Sequence, residues 1–78
     1  MIQKAFGRAV RDFRERIGIS QEELANRSGL HRTYISDVER GTRNIGLGNI
    51  EALAKGLGIS LIELFNIWTL VELKLATE

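Results

Sequence analysis

Four glycines, Gly18, Gly29, Gly41 and Gly58, each stand directly after a short run of helical period. A glycine just past a helix takes the left-handed conformation without steric cost, so it ends the helix there. These four cut a chain of 78 residues into short helical pieces. There is no proline, and no low-complexity stretch that would act as a linker. One small all-α domain covering residues 1–78 is expected.

The pieces have their own start signals. Ile2 to Ile17 carries Phe6, Val10, Phe13 and Ile17 at helical spacing, with Lys4, Arg8, Arg11 and Arg16 on the other face. Ser20 and Glu23 form an S-x-x-E capping box, flanked by a staple of Ile19 and Leu24. They open a helix over Gln21 to Ser28. A third helix is expected over Arg32 to Arg40, followed by the loop "GTRNIG". A fourth should cover Leu47 to Gly56, with Leu47, Ile50, Leu53, Ala54 and Leu57 inward; Gly46, Gly48 and Gly56 weaken it. Ser60 and Glu63 repeat the capping box, with Ile59 and Leu64 as the staple. The fifth helix should run through at least Trp68. Beyond it, Val71, Leu73 and Leu75 alternate with Glu72 and Lys74, so residues 69–78 suit helix or strand.

Composition narrows the chemistry. The chain has no cysteine and one histidine, which excludes disulfides and leaves no ordinary zinc set. A domain this short buries only roughly 60% of its unfolded surface, so a second subunit is a natural source of stability. Residues 1–45 carry nine Lys/Arg and six Asp/Glu, net +3; residues 46–78 carry two and four, net −2, and the sum is +1. A basic first half suggests an anionic partner on one side. No apolar run reaches the ~20 residues of a membrane span, and no signal-peptide pattern opens the chain. A soluble, cytoplasmic protein without membrane contact is expected.

The third helix carries the informative surface. At roughly 100° per residue, Arg32, Thr33, Ser36, Asp37 and Arg40 share one polar arc, while Tyr34, Ile35, Val38 and Glu39 share the other. His31 has no second titratable group spaced to work with it, so a capping or phosphate-contacting role outranks catalysis. The polar arc fits a solvated face. It also fits a DNA major groove, where Arg pairs with guanine, the Thr methyl meets thymine and Asp accepts from cytosine. The preceding helix decides between them. Gln21, Ala25, Gly29, Ile35 and Val38 have helix-turn-helix spacing, with small Ala25 allowing close approach and Gly29 making the turn.

"SQEELANRSGLHRTYISDVERGTRN", followed by "IEALAKGLGISLIELF", closely resembles the Cro/repressor (Xre-type) helix-turn-helix family, from about Phe6 to Phe65. The resemblance implies a five-helix, lambda-repressor-like domain that binds double-stranded DNA, usually as a symmetric dimer. "HRTYIS" with "VERG" and "RN" is similar to the controller proteins of restriction–modification systems. By this likeness Gln21 meets a phosphate and braces the recognition helix. Arg32, Thr33, Ser36 and Asp37 take base-reading positions, with His31 and Arg40 beside them on the DNA. Arg43 and Asn44 touch the DNA backbone, and Glu39 pairs with Arg14. The chain departs from the family at Ile45, often proline there, at Gly46 and Gly48, and at His31, where Ser or Thr is usual.

The fifth helix is apolar around much of its circumference. Leu61, Leu64, Ile67, Trp68, Val71 and Leu75 make one stripe; Ile62, Phe65, Leu70 and Leu73 lie elsewhere. A helix apolar all round is buried on all sides. The stripe, with Leu64, Ile67, Trp68 and Val71 at its centre and Trp68 as anchor, is therefore expected to form a homodimer interface within about 60–78. The first functional expectation is a dimeric regulator on a palindromic operator, with RNA polymerase as a further partner to consider. The second is an antitoxin- or adaptor-type interaction module. An enzyme is a distant third, and neither cofactor nor small-molecule ligand is expected.

Overall fold

Local residues set nearly every helix boundary. The computed structural model describes residues 2–77, with α1 at Ile2–Arg16, α2 at Gln21–Ser28, α3 at Arg32–Arg40, α4 at Leu47–Leu57 and α5 at Leu61–Thr77. The four expected glycines have φ between 74° and 76°. After α1, the Ile19 N–H bonds the Arg14 carbonyl at 3.2 Å and Gly18 bonds Glu15 at 3.1 Å, which is a Schellman closure. Gly29 ends α2 more simply, with one bond to Ala25 at 2.9 Å. That leaves a short turn into α3.

The two capping boxes are not equal. Ser60 and Glu63 exchange both bonds, at 3.0 and 3.1 Å. Ser20 Oγ accepts from the Glu23 N–H at 3.0 Å, but the Glu23 carboxylate turns to Arg27 at 2.9 Å instead. An i,i+4 pair on the same helix competes for that carboxylate.

All five helices contribute to one core. Phe6 and Val10 from α1, Leu24 from α2, Ile35 and Val38 from α3, Leu53 from α4 and Leu64 from α5 are almost fully buried. Glycine permits the closest approach. A Cβ on Gly7 would stand 2.1 Å from the Val38 carbonyl oxygen, so α1 crosses α3 backbone to backbone. Gly56 lets α4 lie close to α2, where a Cβ would meet the Leu24 side chain at Cδ1, 2.9 Å away. Its position in a helix interior therefore reflects packing rather than a weak helix.

The open tail is helical. Val71 packs on Ala5 and Ala9, with Ile67, Trp68 and Leu75 around them. These two alanines leave α1 flat enough for the last turns of α5 to lie against it. No strand occurs among the described residues, so the alternating pattern has nothing to pair with. The expectations for 1–78 and for the tail also touch Met1 and Glu78, which lie outside the described residues.

Three expectations need correction. Leu47 is not inward: it opens α4 and is 78% exposed. Ile17 falls just past α1 and is also exposed. Leu64 and Val71 cannot form an outer interface, since they are 0% and 9% exposed within the protomer. Their apolar surface is already spent on α1 and the core. Trp68 is half-buried against Phe6, with ring centroids 5.0 Å apart in an edge-to-face arrangement. Among the described residues, no single helix is long and apolar enough to cross a membrane.

Candidate nucleic-acid interface

The helix α3 is held from behind by an ion pair. Arg14 on α1 donates to Glu39 on α3 through Nε at 2.7 Å and Nη2 at 3.0 Å. Its third arm reaches the Ile19 carbonyl at 2.8 Å. Gln21, first in α2, donates to the same Glu39 carboxylate at 3.0 Å. The side chains of Arg14 and Glu39 are only 11% and 4% exposed. One carboxylate thus gathers α1, α2 and α3. Its hydrogen bonds raise the Arg14 pKa above its already high ordinary value, against the opposing effect of burial. Gln21 is thus bonded to the same carboxylate that ties α3 to α1.

With its back fixed, α3 turns its polar arc outward. Ile35 and Val38 are buried, Arg32, Thr33 and Arg40 are exposed, and Ser36 and Asp37 are half-buried. Arg32 has no side-chain partner among the described residues, so its guanidinium fork is available to a ligand. His31 sits at the N-cap but makes no capping bond, and it too is exposed. The missing cap leaves first-turn N–H groups of α3 open to an acceptor from outside.

The loop after α3 is pinned by side chains that periodicity does not reveal. The Arg43 guanidinium lies 4.9 Å from the centroid of the Tyr34 ring. The Tyr34 hydroxyl accepts from Asn49 Nδ2 at 3.0 Å. Asn44 Oδ1 accepts from Gln3 Nε2 at 2.6 Å, tying the loop to the start of α1. These contacts stand where a proline would otherwise stiffen the loop. Gln3, Tyr34 and Asn49 are absent from the expected site. Only the placing of Tyr34 on the packing arc hinted at any of them.

A side-chain-capped α2, a tight glycine turn and an outward polar face on α3 make up residues 21–40. Residues 10–64 match the helix-turn-helix family model. The chain belongs to the helix-turn-helix family. Among its relatives, it is similar to control protein C.BamHI of Bacillus amyloliquefaciens, 49% identical over 70 residues, covering 88% of this chain and 86% of that one. It is also similar to control protein C.SmaI of Serratia marcescens, 46% identical over 63 residues, covering 81% and 75%. Among solved structures, the restriction–modification controller protein C.AhdI from Aeromonas hydrophila superposes with a TM-score of 0.78 at 49% identity, over 81% of this chain and 96% of that one. C.Esp1396I bound to a 25 base pair operator site gives 0.88 at 33% identity, over 94% and 96%.

In this helix-turn-helix unit, α2 packs against α3, and the polar face of α3 turns outward. The exposed Arg32, Thr33 and Arg40 and the half-buried Ser36 are brought onto one face. Arg43 and Asn44 follow it in the loop. Asp37 lies on the same face, but its carboxylate is engaged by Arg40 and Arg43.

Proposed function

We propose that this chain is a sequence-specific DNA-binding transcriptional regulator, acting in the cytoplasm as the controller protein of a restriction–modification system. The observation that carries the reading is the outward face of α3, locked from behind by the Arg14–Glu39–Gln21 network. A groove-reading helix needs fixed register and free donors, and α3 has both. The similarity to control proteins at up to 49% identity supplies the regulatory context. On this reading Arg32, Thr33 and Ser36 read base edges. Gln21, His31, Arg40, Arg43 and Asn44 fix the helix on the phosphates.

The chain acts as one DNA-binding domain that pairs with a second copy through its C-terminal part. The stripe that supports a dimer is the outer one. Ile62, Leu70 and Leu73 are 71%, 67% and 60% exposed. At roughly 100° per residue they lie on one side of α5, opposite Leu64 and Val71. A two-fold partner covers such a stripe with its own copy, and the relative C.Esp1396I is seen as a tetramer on its 35 base-pair operator.

Footprinting on DNA flanking the gene, with affinity measured against salt, tests this directly. A palindromic footprint is expected, with log affinity falling linearly in log salt. Absence of protection together with stable capture of a single unrelated protein would favour an adaptor instead.

A further inference from the structure

Asp37 stands on the DNA-facing side of α3, yet each of its carboxylate oxygens already has a charged partner. One oxygen accepts from Arg40 Nη2, and the other accepts from Arg43 Nε at 3.2 Å. The Asp37 side chain is 18% exposed, against 65% for Arg40 and 48% for Arg43. The arginines therefore stand outside and the carboxylate behind them. The backbone at this residue is anchored as well, since its carbonyl accepts from both the N–H and the hydroxyl of Thr42 at 3.1 Å. A cytosine amino group would have to compete with two charged donors for this carboxylate. Charged donors make the stronger bonds.

We infer that Asp37 is a positioning residue that sets sequence discrimination, and not a reader of bases. This rests on the DNA-binding reading above. Its carboxylate aligns Arg40 at the end of the recognition helix with Arg43 in the loop. It also cancels one of their two positive charges. The trio meets DNA with a net charge of +1 instead of +2. DNA of arbitrary sequence, held mainly by phosphate contacts, is thereby held weakly. Operator DNA, held also through Arg32, keeps its base contacts. Operator DNA fixes one pose, in which the two held arginines meet their phosphates. Random DNA is met in many poses, to which held arginines cannot adapt. The hold therefore weakens random binding more, and the difference is specificity.

The size follows from counterion release. Each added phosphate contact steepens the dependence of log affinity on log salt by about 0.9 on B-DNA. Freeing one charge per subunit strengthens random-DNA binding at 0.1 M salt by 0.1 raised to the power −0.9, roughly eightfold per subunit.

The test is Asp37→Asn in the full chain, titrated with salt on operator and on random DNA of equal length. Asparagine keeps the shape and removes the charge. The random-DNA slope should steepen by about 0.9 per subunit. Random-DNA affinity should rise more than operator affinity, with base preference unchanged at every operator position. The double variant Asp37→Asn/Arg43→Gln should lose the added slope. Altered preference at one base pair with an unchanged random-DNA slope would show that Asp37 reads a base, and overturn the assignment. So would a double variant as steep as the single one, or a single variant that matches wild type throughout. Wild type that binds neither DNA in a salt-dependent way would overturn the DNA-binding reading itself, which the other outcomes leave standing.

Discussion

Arg14 and Glu39, on helices α1 and α3, face each other through two hydrogen bonds of 2.7 and 3.0 Å, with the Glu39 side chain only 4% exposed. Removing one partner from such a pair strands a charge away from water, at a cost on the order of 3–5 kcal/mol. Glu39→Ala should therefore lower the unfolding midpoint in urea sharply. Replacing both residues with methionine should cost less than the single change, because no charge is then left unpaired. A double variant less stable than Glu39→Ala would mean that packing, not charge, dominates at this junction.

Gly7 and Gly48 make a matched pair for backbone tests. A Cβ on Gly7 would stand 2.1 Å from the Val38 carbonyl oxygen, whereas nothing lies within 4 Å of one on Gly48. Overpacking of this kind costs typically about 1–3 kcal/mol, and here the obstacle is backbone that cannot turn aside. Gly7→Ala should destabilise by at least that much. Gly48→Ala, in an open helical position, should stabilise by up to about 1 kcal/mol. Chemical denaturation of both variants side by side measures the contrast.

The parts of the fold that are local were legible in the sequence. Capping serines and left-handed glycines act within a few residues of themselves, so α2 and α3 fall on their expected bounds and α1 and α4 within one residue. The Arg14–Glu39 pair was reachable through family likeness, supported by the place of Glu39 on the packing arc. What stayed hidden depends on a partner elsewhere in the chain. Nothing periodic announces that Asp37 meets Arg43 across the turn at Gly41, or that Gly7 receives the Val38 carbonyl. The helix α5 is apolar on two sides, so its pattern does not say which side the protomer uses. Ala5 and Ala9 settle that, by offering Val71 a flat seat on α1.

Arg32 is the expected main specificity contact, being exposed at the first position of α3. Loss of a two-bond contact to guanine costs about 1–3 kcal/mol at one base pair. Arg32→Ala should relax preference at one position per half-site and leave most other positions unchanged. A selection from randomised operators reads this out. Equal weakening on operator and random DNA would reduce Arg32 to a phosphate contact.

The two apolar sides of α5 can be separated by a pair of charges. Leu64 is fully buried in the protomer, so a charge there should unfold the chain whatever its oligomeric state. Leu70 is 67% exposed, and together with Ile62 and Leu73 it forms the outer stripe. Leu70→Glu leaves the protomer core untouched, and its circular dichroism should match wild type. In a two-fold dimer the new carboxylate occurs twice and meets its own copy across apolar surface. Sedimentation at micromolar concentration should then show a folded monomer. Two-fold helix-turn-helix proteins read half-sites about 34 Å apart, one turn of the duplex. A monomer reaches only one of them, so operator affinity should fall by orders of magnitude at fixed salt. Random-DNA binding per protomer should change far less. A Leu70→Glu protein that still sediments as a dimer would move the interface off this face of α5. A folded monomer that holds the operator as tightly as wild type would remove the dimer from the mechanism.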